Sequence, residues 1–430
     1  MSARDDHGYG APRGLWRELD RHPPPGADAV RRGWRSPLRG PWLTSVLGLV
    51  LLVTLPLVII TGLLDYAAYG PQFGQAFPTH VSWLRLPTFD WPTRPSWLFR
   101  LTQGLHVGLG IVLIPVVLAK LWSVIPKLFE WPPARSVAQV LERISLLLLV
   151  GGILFETATG VLNIQYAYLF GFDFYTAHYF GAWVFIGAFV AHVALKLPRL
   201  VTTLRKRRPA VPEQPDPDRL VAERPGPPTL SRRGLLAVVG GGSLLLALLT
   251  IGQSLDGPLR RTALLLPRGR NPGSGPNGFQ VNRSATAAGI QPAETGQAWR
   301  LTLTGGGRTV QLDRATLLAM TQHTARLPIA CVEGWSTMQT WTGVRLADLA
   351  VLAGVPDPAS AHVRSLEQGG LFRQATLQSN QVTDRDALLA LRVNGVDLSA
   401  DHGFPARIIV PALPGVHCTK WVADIEFHDA

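Results

Sequence analysis

Arg326-Leu-Pro-Ile-Ala-Cys331-Val-Glu-Gly-Trp-Ser-Thr-Met-Gln-Thr-Trp-Thr-Gly343-Val-Arg-Leu346 decides how the chain is read. It holds one of only two cysteines among 430 residues. Small and aromatic residues flank that cysteine. The apolar run Leu346-Ala-Asp-Leu-Ala-Val-Leu352 that follows predicts a short helix. A lone thiolate is a strong, soft ligand for a heavy metal. No CxxC or CxxCH accompanies it, so zinc, iron–sulfur clusters and covalently attached haem fit poorly. A buried structural cysteine is the plain alternative.

Working outward, a second informative segment lies near the C-terminus. It runs His402-Gly-Phe-Pro-Ala-Arg407-Ile-Ile-Val-Pro411 and then Gly415-Val-His417-Cys418-Thr-Lys420-Trp421. Arg407 and Lys420 suit a terminal phosphate as charge-assisted donors. Backbone amides between Gly415 and Lys420 can add further contacts. Around these segments, Trp299 to Thr304 alternates like a strand, and Leu312 to Met320 suits a short helix. Arg407-Ile-Ile-Val and Trp421 to Phe427 read as strands, so residues 279–430 are expected to form an α+β domain.

Cys331-Val-Glu-Gly-Trp-Ser336, Trp341-x-Gly343-Val-x-Leu346 and the two C-terminal segments resemble the sulfite-oxidase family of molybdopterin enzymes. Within that family, the branch of periplasmic methionine-sulfoxide reductase catalytic subunits is most similar. The resemblance implies that the Cys331 sulfur binds molybdenum beside the pterin dithiolene and that Arg407 and Lys420 hold the pterin. His402 matches a position where the reductase branch has asparagine, which implies a pterin contact there. Phe279-Gln-Val-Asn282-Arg283-Ser284 matches the family's entry segment and adds Asn282 and Ser284 as cofactor-binding candidates. Ordinary turn chemistry accounts for those two equally well. Cys418 reads as structural, with His417 a pterin-side or substrate-side contact. The family often carries a further C-terminal dimerisation domain, and none is expected after residue 430.

Upstream, the composition changes. Hydrophobic residues make up 47% of the chain and mean hydropathy is +0.17, high for a purely soluble protein. Trp42 to Leu64 carries no charge and is long enough to span a bilayer. Further spans are expected near Leu101–Ala119, Ile144–Gln165 and Phe174–Leu195, with a fifth, glycine-rich run at Gly234–Gly252. The formal net charge of +12 invites a nucleic-acid reading. The positives instead cluster beside apolar segments: Lys120, Lys127, Arg135 and Arg143 after span two, and Lys196, Arg199 and Arg205 to Arg208 after span four. That pattern places the N-terminus in the cytoplasm and everything after span five outside, and it argues against nucleic acid as a partner. Residues 1–40 read as a disordered basic tail, 201–233 as a cytoplasmic linker and 253–278 as an outer linker. No cleavable signal is visible. Ser231-Arg232-Arg233-Gly-Leu-Leu236 resembles an internal twin-arginine export motif, and two positive-inside arginines explain it equally well.

Three histidines fall inside the spans, His106 in the second and His178 and His192 in the fourth. Ionisable residues inside a span are costly and are functional candidates by default, and histidine is the usual axial ligand of b-type haem. His178 and His192 are fourteen residues apart, which puts them on nearly one helix face, roughly 21 Å apart along the axis. His106 and His178 can share the outer level. Nothing equivalent pairs with His192, because the residue fourteen after His106 is Lys120. The four spans resemble the membrane cytochrome b subunits of formate dehydrogenases and hydrogenases, where a first-span histidine completes the second haem. That histidine is absent here. Lys120 ligation, a single haem, and pairing of His106 with His192 all stay open, as does simple hydrogen bonding to neighbouring helices. Glu156 suits quinone protonation or, more simply, snorkelling to the interface. Pro56 and Pro115 are expected to kink their helices.

The expected architecture is therefore multidomain: an all-α transmembrane bundle (residues 41–200), a fifth tether helix (234–252), and an α+β sulfite-oxidase-like molybdopterin domain (279–430). The expected function is that of a bacterial cell-membrane oxidoreductase with an extracytoplasmic molybdopterin site. One or two b haems would relay electrons from membrane quinol or another donor to a small oxidised substrate, by oxygen-atom transfer. Sulfite-type oxidation in the opposite direction and a cofactor-free electron-relay or binding protein are the alternatives.

Overall fold

A computed structural model describes residues 36–70, 80–81, 84–85, 89–129, 131, 137–164, 174–205, 226–255, 258–265, 272–370 and 373–429. The expected tail up to residue 35, Arg135 and most of the linker after residue 205 lie outside the described residues.

The apolar runs fold as helices. α1 spans Pro41–Tyr69, and a two-residue ladder, β1 (His80–Val81) and β2 (Leu84–Arg85), follows it. α2 is Leu98–Val112, α3 Ile114–Leu128, α4 Val137–Ile164, α5 Phe174–Arg205 and α6 Arg232–Thr250. α1, α4, α5 and α6 are long and apolar enough to cross a membrane, and α2 with α3 makes a fifth candidate if that pair, bent by 42°, is one span. The second expected span is thus a broken helix. Pro115 sits in the first turn of α3, where a proline loses no intrahelical hydrogen bond, so a new helix starts after Leu113. Pro56 behaves differently: α1 runs through it as one 29-residue helix.

The C-terminal part is built from two five-stranded sheets. One has the order β4 (Arg308–Leu312), β3 (Leu301–Gly305), β12 (Val422–His428), β7 (Ser360–Ser365), β8 (Gln374–Gln378). Its β12–β3 pair is parallel and the rest are antiparallel. The other has the order β10 (Val396–Asp397), β9 (Leu388–Val393), β6 (Ser336–Arg345), β5 (His323–Ala330), with β11 (Arg407–Ile409) also on β9, all antiparallel. Alternation explains the cores. Leu301 and Leu303 of β3 and Ala361 and Val363 of β7 are buried at every second position. Three short helices complete the region: α7 (Arg314–Ala319), α8 (Leu346–Leu352) and α9 (Ser379–Val382). α7 opens on Asp313, whose side chain accepts from the Thr316 amide. α8 coincides with the apolar run that follows the cysteine segment.

The chain divides into two compact units. One comprises residues 1–56, 112–159 and 178–244; the other comprises 57–111, 160–177 and 245–430. The second unit therefore contains the end of α1 and α2 up to Ile111 along with both sheets. Its boundary does not follow the outer linker. The loop before α2 is part of it: Trp91 Nε1 donates to Ala412 O at 2.7 Å, and Asn380 Nδ2 donates to Trp91 O at 3.0 Å.

Candidate active site

β5 and β6 form a hairpin whose register closes at Ala330–Ser336, and Cys331 begins the connecting loop. The Cys331 amide donates to Trp335 O at 2.9 Å, and the Gly334 amide donates to Cys331 O at 3.0 Å. Gly334 has φ +89°, and a Cβ there would lie 2.8 Å from Gln253 Nε2, so backbone and space both require glycine. Trp335 Nε1 donates to Glu333 Oε2 at 2.9 Å, both side chains buried. The Cys331 residue itself is only 2% exposed.

A second loop, between β11 and β12, meets this one. The Gly415 amide donates to Ala330 O at 2.7 Å, and a side chain at 415 would strike that oxygen at 2.9 Å. The contact holds the loop that carries His417, Cys418, Thr419 and Lys420 against the strand that leads into Cys331. Arg407, buried on β11, donates Nη1 to His402 O and Nη2 to Cys418 O, each at 3.1 Å, and lies 5.2 Å over the Trp341 ring. Its Nε and the Thr419 hydroxyl are buried without a hydrogen-bond partner among the described residues. Burial lowers the Arg407 pKa to about 10. Lys420 Nζ donates to the carbonyls of Arg283 and Asp401 and sits 4.5 Å over Trp421. Burial, then repulsion from Arg407, lowers its pKa to about 7, against the opposing pull of Asp401, Glu367 and Cys331. Cys331 is thus within electrostatic reach of Lys420.

The remaining candidates divide. His402 is buried, stacks on Phe279 at 3.6 Å, and places Nε2 2.9 Å from Asn277 O. Burial, reinforced by Arg407, takes its pKa down to about 4. His417 is buried edge-on to Tyr69 at 6.2 Å, and burial takes its pKa down to about 3. Cys418 is a free thiol whose pKa burial raises, so the two cysteines form no disulfide with each other. Asn282 and Ser284 hold their own turn: Oδ1 of Asn282 accepts from the Arg283 amide at 2.9 Å, and Oγ of Ser284 accepts from the Ala287 amide at 3.2 Å. Arg283, which residue-by-residue reading passed over, contributes its carbonyl to Lys420 and pairs with Glu367 at 2.8 Å. Its place inside the Phe279–Ser284 segment was the available signal.

The buried Cys331 thiol, the buried Arg407 guanidinium with its orphaned N–H, the half-buried Lys420 ammonium and the orphaned Thr419 hydroxyl fit a soft metal and a phosphorylated pterin, whose oxygens would satisfy those donors. Residues 288–430 match the family model described as an oxidoreductase molybdopterin binding domain. This part of the chain is similar to the molybdopterin-binding domains of sulfite-oxidase-type oxidoreductases. A sulfite oxidase of Arabidopsis thaliana is 35% identical over 99 residues, covering 20% of this chain and 25% of that protein. The uncharacterized oxidoreductase YuiH of Bacillus subtilis is 34% identical over 110 residues, covering 25% of this chain and 54% of that protein. A sulfite oxidase of Gallus gallus is 29% identical over 160 residues, covering 30% and 35%. The chain thus spans between a quarter and about half the length of these relatives.

The helix histidines lie in both units. In the unit that holds both sheets, His106 Nδ1 lies 3.0 Å from Val58 O, and the ring rests against α1 where a Cβ on Gly62 would meet Cε1 at 2.6 Å. In the other unit, His178 Nδ1 lies 2.9 Å from Thr159 Oγ1 and 3.1 Å from Glu156 Oε2. The expected snorkelling of Glu156 is replaced by this contact, with the carboxylate side chain 12% exposed. A histidine anchored through Nδ1 is the tautomer whose Nε2 ligates a metal, so both residues fit haem ligation. His192 lines a cavity of about 210 Å³ together with Lys120, Glu142 and Lys196. There Lys120 Nζ donates to Thr44 O at 2.6 Å and Lys196 pairs with Glu142 at 2.5 Å.

Proposed function

We propose that the protein is a membrane-bound molybdopterin oxidoreductase that reduces a small sulfoxide-like substrate with electrons drawn from the membrane. The observation that carries this reading is the convergence of buried Cys331, buried Arg407 and half-buried Lys420 where the two loops meet. When bound, the molybdenum cofactor supplies oxygen-atom transfer, in which two electrons and two protons convert a sulfoxide to a sulfide and water. Cys331 offers the metal its thiolate, and its burial keeps bulk water from the sulfur. Arg407 and Lys420 anchor the phosphate end. An anion there raises the Lys420 pKa and holds the ammonium charged, which in turn favours the Cys331 thiolate. His106 and His178 are each candidate iron ligands, and a haem b held by either would supply one-electron relay between quinol and the domain. The cavity at His192 and Lys120 suits either a second haem or a quinone headgroup. Arginine and lysine placement supports a bacterial cytoplasmic membrane location with the domain outside.

Metal analysis and a reduced-minus-oxidised spectrum of detergent-purified protein test the reading. About one molybdenum per chain with b-type absorbance is expected, and Cys331→Ser is expected to abolish molybdenum-dependent turnover. Full turnover in that variant would remove the assignment. The descriptions of the relatives from Arabidopsis and Gallus as sulfite oxidases favour a second reading, with electrons flowing outward from sulfite. Reduction of the haem by sulfite alone would select it.

A further inference from the structure

The Cys331 loop is held from outside the two sheets. Gln103, buried on α2, donates Nε2 to Val332 O at 2.5 Å. Ser254 Oγ donates to Gly334 O at 2.6 Å. The Ser254 carbonyl accepts from Ser336 Oγ at 3.1 Å and from Arg100 Nε and Nη2 at 3.1 and 2.7 Å. All these groups belong to one compact unit. Gln103 and His106 are three residues apart on α2, so they are neighbours on the helix surface. Val332 is joined by a peptide bond to Cys331. From the helix that carries His106 to the thiol, one short hydrogen bond interrupts an otherwise covalent route. The alternative through Arg100 and Ser254 crosses two hydrogen bonds and enters the loop at Gly334, further from the sulfur.

We propose that Gln103 is the electron bridge between His106 and the Cys331 thiolate. This rests on the reading of His106 as a haem ligand. Each passage through Gln103 would carry one electron with no bond made or broken, and two passages would match the two electrons of oxygen-atom transfer. Glutamine suits the task. It reaches from a helix to a carbonyl and donates a hydrogen bond without placing a charge in a buried site, where an unpaired charge is costly. A glutamate in its place would turn an acceptor toward the Val332 oxygen.

The test is flash reduction of the haem in full-length, molybdenum-loaded protein, following its re-equilibration with molybdenum; no substrate is needed. Gln103→Met keeps the length and removes the donor. Re-equilibration is expected to slow, because a through-space gap replaces the hydrogen-bonded contact, with both midpoint potentials unmoved. Gln103→Glu is expected to slow it as much, and serves if the methionine variant does not accumulate. Ser254→Ala, which loosens the loop but leaves the bridge, is expected to retain the native rate. A native rate in both Gln103 variants would overturn the proposal. So would a slow rate that tracks a shifted molybdenum potential, since Gln103 would then act only by shaping the loop. A native protein without b-type absorbance would overturn the haem reading beneath it, a result separable from either.

Discussion

Arg407 spends both of its Nη groups on backbone carbonyls and keeps Nε unpaired in a buried place. A guanidinium so placed both stiffens the loops and waits for an acceptor. Arg407→Met, which keeps an apolar stem over Trp341, is expected to cost roughly 1.5–3 kcal/mol per lost charged hydrogen bond. Pterin affinity should fall about tenfold to a hundredfold, read as molybdenum and pterin per folded protein. A second residue-scale effect concerns acid. His402 and His417 keep folded pKa values near 4 and 3, whereas an unfolded histidine titrates near 6.5. The unfolded chain therefore binds more protons in that window. Stability is complete above about pH 6.5 and is lost as pH falls through the folded values. Thermal unfolding between pH 6.5 and 4 should show a falling midpoint, flattened in His402→Gln and His417→Gln. Cysteine, arginine and lysine were legible here because their chemistry is carried by residue type. Asn282 and Ser284 were ambiguous because a turn and a ligand contact use the same side chains, and the structure shows the turn.

Elements were legible where one period dominates. The apolar runs gave their helices, and alternation gave β3 and β12, because burial on one face writes a pattern into neighbouring residues. The break between α2 and α3 was not, because Pro115 reads as a kink in a continuous span unless its position in the first turn of a new helix is known. Close approaches are illegible for a similar reason: they join residues distant in sequence. Gly415 shows this, since its need for glycine comes from Ala330 O. Gly415→Ala is expected to separate the two loops, destabilising the protein by about 1–3 kcal/mol and lowering molybdenum content. Gly62 does the same for His106. Gly62→Val should displace the imidazole and reduce haem b absorbance; full absorbance would show that the ring can shift without losing iron.

Length and composition lead to the expectation of a membrane part, a linker and an outer domain. The compact unit around Cys331 instead includes residues 57–111, and its contacts are uneven in strength. Arg94 pairs with Asp384 and Asp386 at 3.0 and 2.6 Å, but with its side chain 46% exposed. Such pairs contribute about 0–1 kcal/mol at most. The buried donors Trp91 Nε1 and Gln103 Nε2 matter more, because removing either leaves a carbonyl without its buried partner. A fragment of residues 272–430 would lose both, along with the Ser254 bond to Gly334. It is expected to unfold at a lower temperature than the full chain in detergent, to load less molybdenum, and to leave Cys331 open to maleimide when free of cofactor. Equal melting, equal loading and a protected thiol would show that the two sheets alone define the site. The helices would then take no part in building it.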